Sequence, residues 1–298
     1  MPIMKNTVFT GVGTAIVTPM FPDGSVNHKK LAELIDFQIE NSVGAIVACG
    51  TTGESATLSN DEHIEVIKTA VKAANGRVPV VAGTGSNDTS YGVELSKEAL
   101  KIGADALLMV TPYYNKTTQK GLIEHYKHIA ENVALPIILY NVPSRTGVNI
   151  KPQTYLELSK IDNIVGIKEA NGDLSALLKT VSLCHDSMDI YSGNDDQIIP
   201  FYSLGAKGVI SVLSNILPKE TARICSLCEE GKFAQAVELE SKYLEFADAL
   251  FCEVNPIPIK EAMELAGYKT GYCRLPLCRA TDEHIEYIRA CMEKVGII

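Results

Sequence analysis

The chain has 298 residues, 46% of them hydrophobic and 21% charged, which suits one large buried core and excludes a disordered or fibrous protein. Its 27 Lys and Arg against 36 Asp and Glu leave a formal charge of −9, which excludes a dedicated nucleic-acid binder while a few cations in a cleft can still hold a small anion. Residues 1–10 carry no signal-peptide pattern, no stretch approaches the roughly 20 apolar residues of a membrane span, and eight scattered cysteines suit reduced thiols, so a cytoplasmic chain without a membrane partner is expected.

In chain order, apolar runs of strand character fall at 13–18, 44–50, 78–83, 106–111, 136–141, 164–168, 189–192 and 208–212, with stretches of helical period between them. After the first run, Leu31, Leu34, Ile35 and Ile39 line one helix face, and Ser59-Asn60-Asp61-Glu62 opens the next helix with a capping box. His125 and His128 are three apart in a helical stretch, which is not metal-ligand spacing. Cys225 and Cys228 have no second pair at zinc-finger distance. From about Lys232 the period is helical only, with breaks at 255–258 and 267–276.

Strands apolar on both faces need cover on both sides, which a parallel sheet wrapped in helices supplies. Eight strand–helix units close into a (β/α)₈ TIM barrel. An open doubly wound sheet is disfavoured, because no G-x-G-x-x-G or Walker A sequence is present. The expected division is a barrel over 1–231 carrying the active site and a small C-terminal helical domain over 232–298.

Active sites of such barrels lie in the loops after the strands. Lys168 ends an apolar strand, where poor solvation disfavours its ammonium; it either attacks a carbonyl as a neutral amine or reaches past the strand end to water or a carboxylate. Tyr140 ends the preceding strand, close enough to shuttle a proton or simply to pack. Thr51 and Thr52 sit in a Gly-bounded turn, which offers N–H groups and hydroxyls to a carboxylate or is only turn chemistry. Arg145 offers a planar fork for a substrate carboxylate or makes a surface ion pair. A serine-hydrolase elbow is absent from the sequence.

Together, Gly50-Thr51-Thr52-Gly53-Glu54, Tyr140-Asn141-Val142-Pro143-Ser144-Arg145-Thr146-Gly147 and Gly166-Ile167-Lys168-Glu169 resemble the dihydrodipicolinate synthase family of pyruvate-dependent class I aldolases. Segments 110–115, 192–195, 208–212 and 255–260 extend the resemblance over nearly the whole chain. It implies that Lys168 forms a Schiff base with pyruvate, that Thr52 helps hold the pyruvate carboxylate, and that Tyr140, Thr51 and a neighbouring subunit's Tyr114 relay protons. Arg145 would hold the carboxylate of aspartate semialdehyde, and Gly193 and Ile210 would bring backbone near the pyruvate. The product would be 4-hydroxy-tetrahydrodipicolinate, at the first committed step of diaminopimelate and lysine biosynthesis. A homotetramer is implied, and neither cofactor nor metal, since the imine is itself the electron sink.

A sister aldolase such as N-acetylneuraminate lyase shares the lysine and tyrosine but usually has Ser-Thr at Thr51-Thr52, so the Thr pair and Arg145 favour the synthase. A non-catalytic barrel sensing small acids is the alternative from another class. In lysine-inhibited family members an effector site lies near the loops after strands two and three, and Ser55, Ala56, Leu58, His63 and Asn87 match its pattern, with Tyr113 able to close over it. Asn60 stands where histidine is common and Tyr91 where a glutamate would pair with the effector's ammonium, so weak or absent lysine inhibition is expected.

Overall fold

Strands form where the apolar runs fall. They are β1 (Gly11–Ala15), β2 (Ala45–Ala48), β3 (Val80–Gly83), β4 (Ala106–Val110), β5 (Ile137–Asn141), β6 (Ile164–Glu169), β7 (Asp189–Ser192) and β8 (Gly208–Ser211). Each pairs in parallel with the next, and β1 also pairs with β8, so the sheet is a closed barrel. The helices are α1 (His28–Glu40), α2 (Asn60–Ala74), α3 (Thr89–Ile102), α4 (Gln119–Asn132), α5 (Pro143–Thr146), α6 (Pro152–Leu158), α7 (Leu174–Cys184), α8 (Ile198–Ser203), α9 (Pro218–Glu229), α10 (Phe233–Ala249), α11 (Ile257–Leu265) and α12 (Asp282–Val295). The structure, a computed structural model, describes residues 5–298; the first four, part of the segment read for a signal, lie outside the described residues.

Only the first strand departs clearly from expectation, lying at Gly11–Ala15 rather than 13–18. The ladder stops there because loop groups capture the backbone and side chains that follow. Val17 N donates to Asn215 Oδ1 at 3.0 Å and Thr18 Oγ1 to Gly53 O at 2.7 Å. The capping box is formed as expected, with Ser59 and Glu62 each satisfying the other's backbone N–H.

Alternation along each strand sorts side chains into two cores. Ala45, Val47, Val81, Ala106, Leu108, Ile138, Tyr140, Tyr191 and Ile210 form one buried cluster with Phe9 and Ala15. Ile46, Ala48, Leu107, Met109, Ile137, Leu139 and Ile167 join the larger cluster with the surrounding helices. Phe9 stacks on Tyr191 at 4.4 Å and accepts the Tyr191 hydroxyl at its carbonyl, which helps fill the barrel. On α1 the buried residues are Leu31, Leu34, Ile35 and Gln38, while Ile39 is only partly buried. Gln38 is buried because it is satisfied, accepting from Thr14 Oγ1 at 2.8 Å and donating to Asn215 O at 3.2 Å.

After the barrel, α10 packs on α9 and α12, and α11 packs on α12. The break before α11 carries Asn255, and α11 carries Lys260. Cys225 and Cys228 are buried thiols on α9. Among the described residues no three or more His, Cys, Asp or Glu are grouped to hold a metal ion, and no helix is long and apolar enough to cross a membrane.

Candidate active site

Register brings the two strand-end candidates together. Tyr140 on β5 and Lys168 on β6 are direct partners, and their side chains meet with Lys168 Nζ 4.2 Å from the centroid of the Tyr140 ring. Burial pushes the Lys168 amine down to about 7; the negative Asp195 opposes this and the positive Arg145 adds to it. A lysine in that range is neutral for much of the time at physiological pH and can act as a nucleophile. Burial raises the Tyr140 phenol above its ordinary value, against the opposing effects of nearby Arg145 and Thr51.

The strands on the other side supply space and charge. A Cβ on Gly193 would lie 2.6 Å from Ala170 Cβ, 3.0 Å from Glu169 O and 3.2 Å from Lys168 Cε, so the clash with Ala170 favours glycine here, and its absent side chain also leaves space beside the lysine stem. Ile210 is buried in the cluster that contains Tyr140. Asp195 is buried, its Oδ2 accepting from the backbone N–H groups of Val212 and Leu213, both at 2.9 Å. Beside Lys168, Glu169 accepts from Asn141 Nδ2 at 2.9 Å, Tyr155 Oη at 2.9 Å and Asn171 N at 3.0 Å. Burial raises its carboxyl to about 7 against those hydrogen bonds.

Sequence reasoning gave no role to Glu169, Asn141 or Asp195, although all three are polar residues at or just after strand ends, which was the available signal. Tyr155, in the middle of α6, carried none.

After β2 the chain turns through Thr51 and Thr52, with Gly53 N donating to Gly50 O and Glu54 N to Thr51 O, both at 3.1 Å. Thr52 is buried and its Oγ1 accepts from Asn255 Nδ2 at 3.0 Å. Glu54 closes the turn at φ 55° and is buried. Its Oε1 meets Lys260 Nζ at 2.6 Å and its Oε2 accepts from Arg274 N at 2.9 Å. Arg145, on α5, donates to Asn255 O at 3.2 Å and forms no ion pair among the described residues. Asn255 and Lys260 are therefore parts of the site that motif reading had noted without assigning a role.

A cleft of about 360 Å³ collects Thr51, Ser55, Ala56, His63, Tyr91, Tyr113, Arg145 and Asn255 along its walls, and a smaller cavity of about 40 Å³ lies between Thr51 and Tyr140. Leu58 packs instead against the helix-side core, and Asn87 donates to Tyr113 O at 3.1 Å without lining the cleft. Buried His63 contacts Gly83 O through Nε2 at 2.8 Å, and burial lowers its pKa. The two positions that depart from the effector pattern touch each other, Tyr91 Oη donating to Asn60 Oδ1 at 3.3 Å. Tyr114 is 93% exposed, with φ 68°, and is not among the residues lining this chain's cleft.

A buried amine titrating near neutrality against a phenol, with hydroxyls and a guanidinium around it, is equipped for imine chemistry on an anionic carbonyl compound. The model of the dihydrodipicolinate synthetase family matches residues 8–295. The chain belongs to this family. Within it, the chain is 50% identical over 295 residues to the 4-hydroxy-tetrahydrodipicolinate synthase of Acetivibrio thermocellus, covering 99% of this chain and 100% of that one. The chloride-inhibited dihydrodipicolinate synthase of Acinetobacter baumannii, solved with pyruvate, superposes with a TM-score of 0.96 at 46% identity, covering 98% of this chain and 100% of that one. A monomeric dihydrodipicolinate synthase variant superposes with a TM-score of 0.95 at 41% identity, covering 98% of each chain.

Proposed function

We propose that this chain condenses pyruvate with L-aspartate 4-semialdehyde to give 4-hydroxy-tetrahydrodipicolinate, as a lyase of diaminopimelate and lysine biosynthesis. The observation that carries the reading is the buried Lys168 amine, held near pKa 7 against Tyr140. Neutral Lys168 adds to the pyruvate ketone, water leaves, and a protonated imine forms. A methyl proton then passes to the Tyr140–Thr51 relay while its C–H electron pair flows into the protonated imine, giving an enamine whose carbon attacks the semialdehyde carbonyl and restores the imine. The semialdehyde's amine adds to the imine carbon, closes the ring and expels Lys168.

In this reading Thr52 holds the pyruvate carboxylate, with Gly193 and Ile210 supplying nearby backbone, and Arg145 holds the semialdehyde carboxylate at the mouth. Tyr140 and Thr51 pass protons to and from the imine. Tyr114, exposed on its own chain, completes the relay in a neighbouring copy. A homotetramer assembled as a dimer of dimers is the matching state, in the cytoplasm. We take 232–298 as a helical domain that braces the barrel mouth through Asn255 and Lys260. Ser55, Ala56, His63 and Tyr113, which share the cleft, are the remnant of an effector site that binds lysine weakly or not at all, and Leu58 and Asn87 lie outside that cleft.

A coupled assay with pyruvate and aspartate semialdehyde, together with borohydride trapping of pyruvate, tests the reading. Turnover and a reduced pyruvyl adduct on Lys168, both abolished in Lys168→Ala, are expected. An adduct mapped to Lys207 or Lys260, or no adduct, would overturn it.

A further inference from the structure

The segment leading into α11 touches both residues assigned to substrate carboxylates. Asn255 is 5% exposed; its Nδ2 donates to Thr52 Oγ1 at 3.0 Å and its backbone oxygen accepts from Arg145 Nη2 at 3.2 Å. Its own Oδ1 is buried with no partner among the described residues, a costly arrangement for a residue whose only task is packing. A hydroxyl has one proton to give and lone pairs to receive others. With the amide N–H already on its oxygen, Thr52 keeps that proton for an acceptor other than Asn255.

On the reading of this site as a pyruvate site, we infer that Asn255 is a positioning residue: it sets the hydrogen-bond polarity of Thr52, so that the threonine donates to the pyruvate carboxylate. An amide does this and an isosteric carboxylate reverses it. Asp at 255 would accept the Thr52 proton and place a negative charge beside an anionic substrate. The Arg145 contact runs through the Asn255 carbonyl, which every side-chain variant retains, so the semialdehyde serves as an internal control.

Steady-state kinetics of Asn255→Asp and Asn255→Ala test this, with borohydride trapping and thermal unfolding on the same preparations. The pyruvate KM should rise about tenfold or more in Asn255→Asp and less in Asn255→Ala, with kcat and the semialdehyde KM changing far less. A merely structural role would lower the active fraction, and hence kcat, without ordering the two KM values this way. Asn255→Asp behaving like wild type, or Asn255→Ala losing as much pyruvate affinity as Asn255→Asp, would overturn the inference.

If Asn255→Asp fails to fold, Thr52→Val is combined with Asn255→Ala. A residue acting through Thr52 adds nothing to the pyruvate KM once Thr52 is gone, and additive losses would reject the proposal. Wild type that traps no pyruvate on Lys168 would instead bring down the functional reading on which the inference rests.

Discussion

Glu54 and Lys260 lie 206 positions apart in sequence and form an ion pair whose side chains are 0% and 1% exposed, with Oε1 2.6 Å from Nζ. Each charge is further satisfied, Glu54 by the Arg274 N–H and Lys260 by the Tyr272 carbonyl at 3.1 Å. The pair ties the turn carrying Thr51 and Thr52 to the helices that follow the barrel.

Lys260→Met should cost about 3–5 kcal/mol, because it leaves the Glu54 carboxylate buried without its counter-charge. Glu54→Gln combined with Lys260→Met should be markedly milder, since no unpaired charge remains. Denaturant unfolding checks both, and a Lys260→Met protein as stable as wild type would reject the argument.

Pyruvate capture should rise with pH. Lys168 is depressed to about 7, so its reactive neutral fraction grows about tenfold between pH 6 and pH 8 and then levels off. The positive charge of Arg145 contributes to the depression, so Arg145→Ala should move the midpoint upward while raising the semialdehyde requirement. Rates of borohydride trapping against pH give the midpoint, and a value near that of an ordinary lysine would contradict the burial argument.

Tyr140→Phe should retain pyruvate trapping, because the ring face under Lys168 remains, and should lose about 10²-fold or more in turnover, because the phenolic proton is gone. Single-turnover trapping and steady-state assay separate these effects. Unchanged turnover would remove Tyr140 from the relay.

Lysine should inhibit weakly or not at all. Tyr91, on the cleft wall, hydrogen bonds to Asn60, and neither brings the carboxylate that a desolvated ammonium needs. Half-inhibition at submillimolar lysine in the coupled assay would show that the site works without a carboxylate at position 91 and would reject this argument.

Sequence alone determined the eight strand–helix units, because alternation, helical period and capping chemistry are local and leave their mark within a few residues. It also determined that Tyr140 and Lys168 lie side by side in the candidate site, since each ends an apolar run and neighbouring parallel strands carry such ends to one rim. Only the tertiary structure decided that Lys168 lies over the Tyr140 ring, that Asn255 donates to Thr52 and that Glu169 is held by Asn141 and Tyr155. It also separated Leu58 and Asn87 from the cleft that takes Ser55, Ala56 and His63. These relationships depend on barrel register and on how the loops and the final helices close over the mouth. Contacts set by closure join residues far apart in the chain and have no period to read, and the burial that lowers the Lys168 pKa exists only once those distant segments have excluded water.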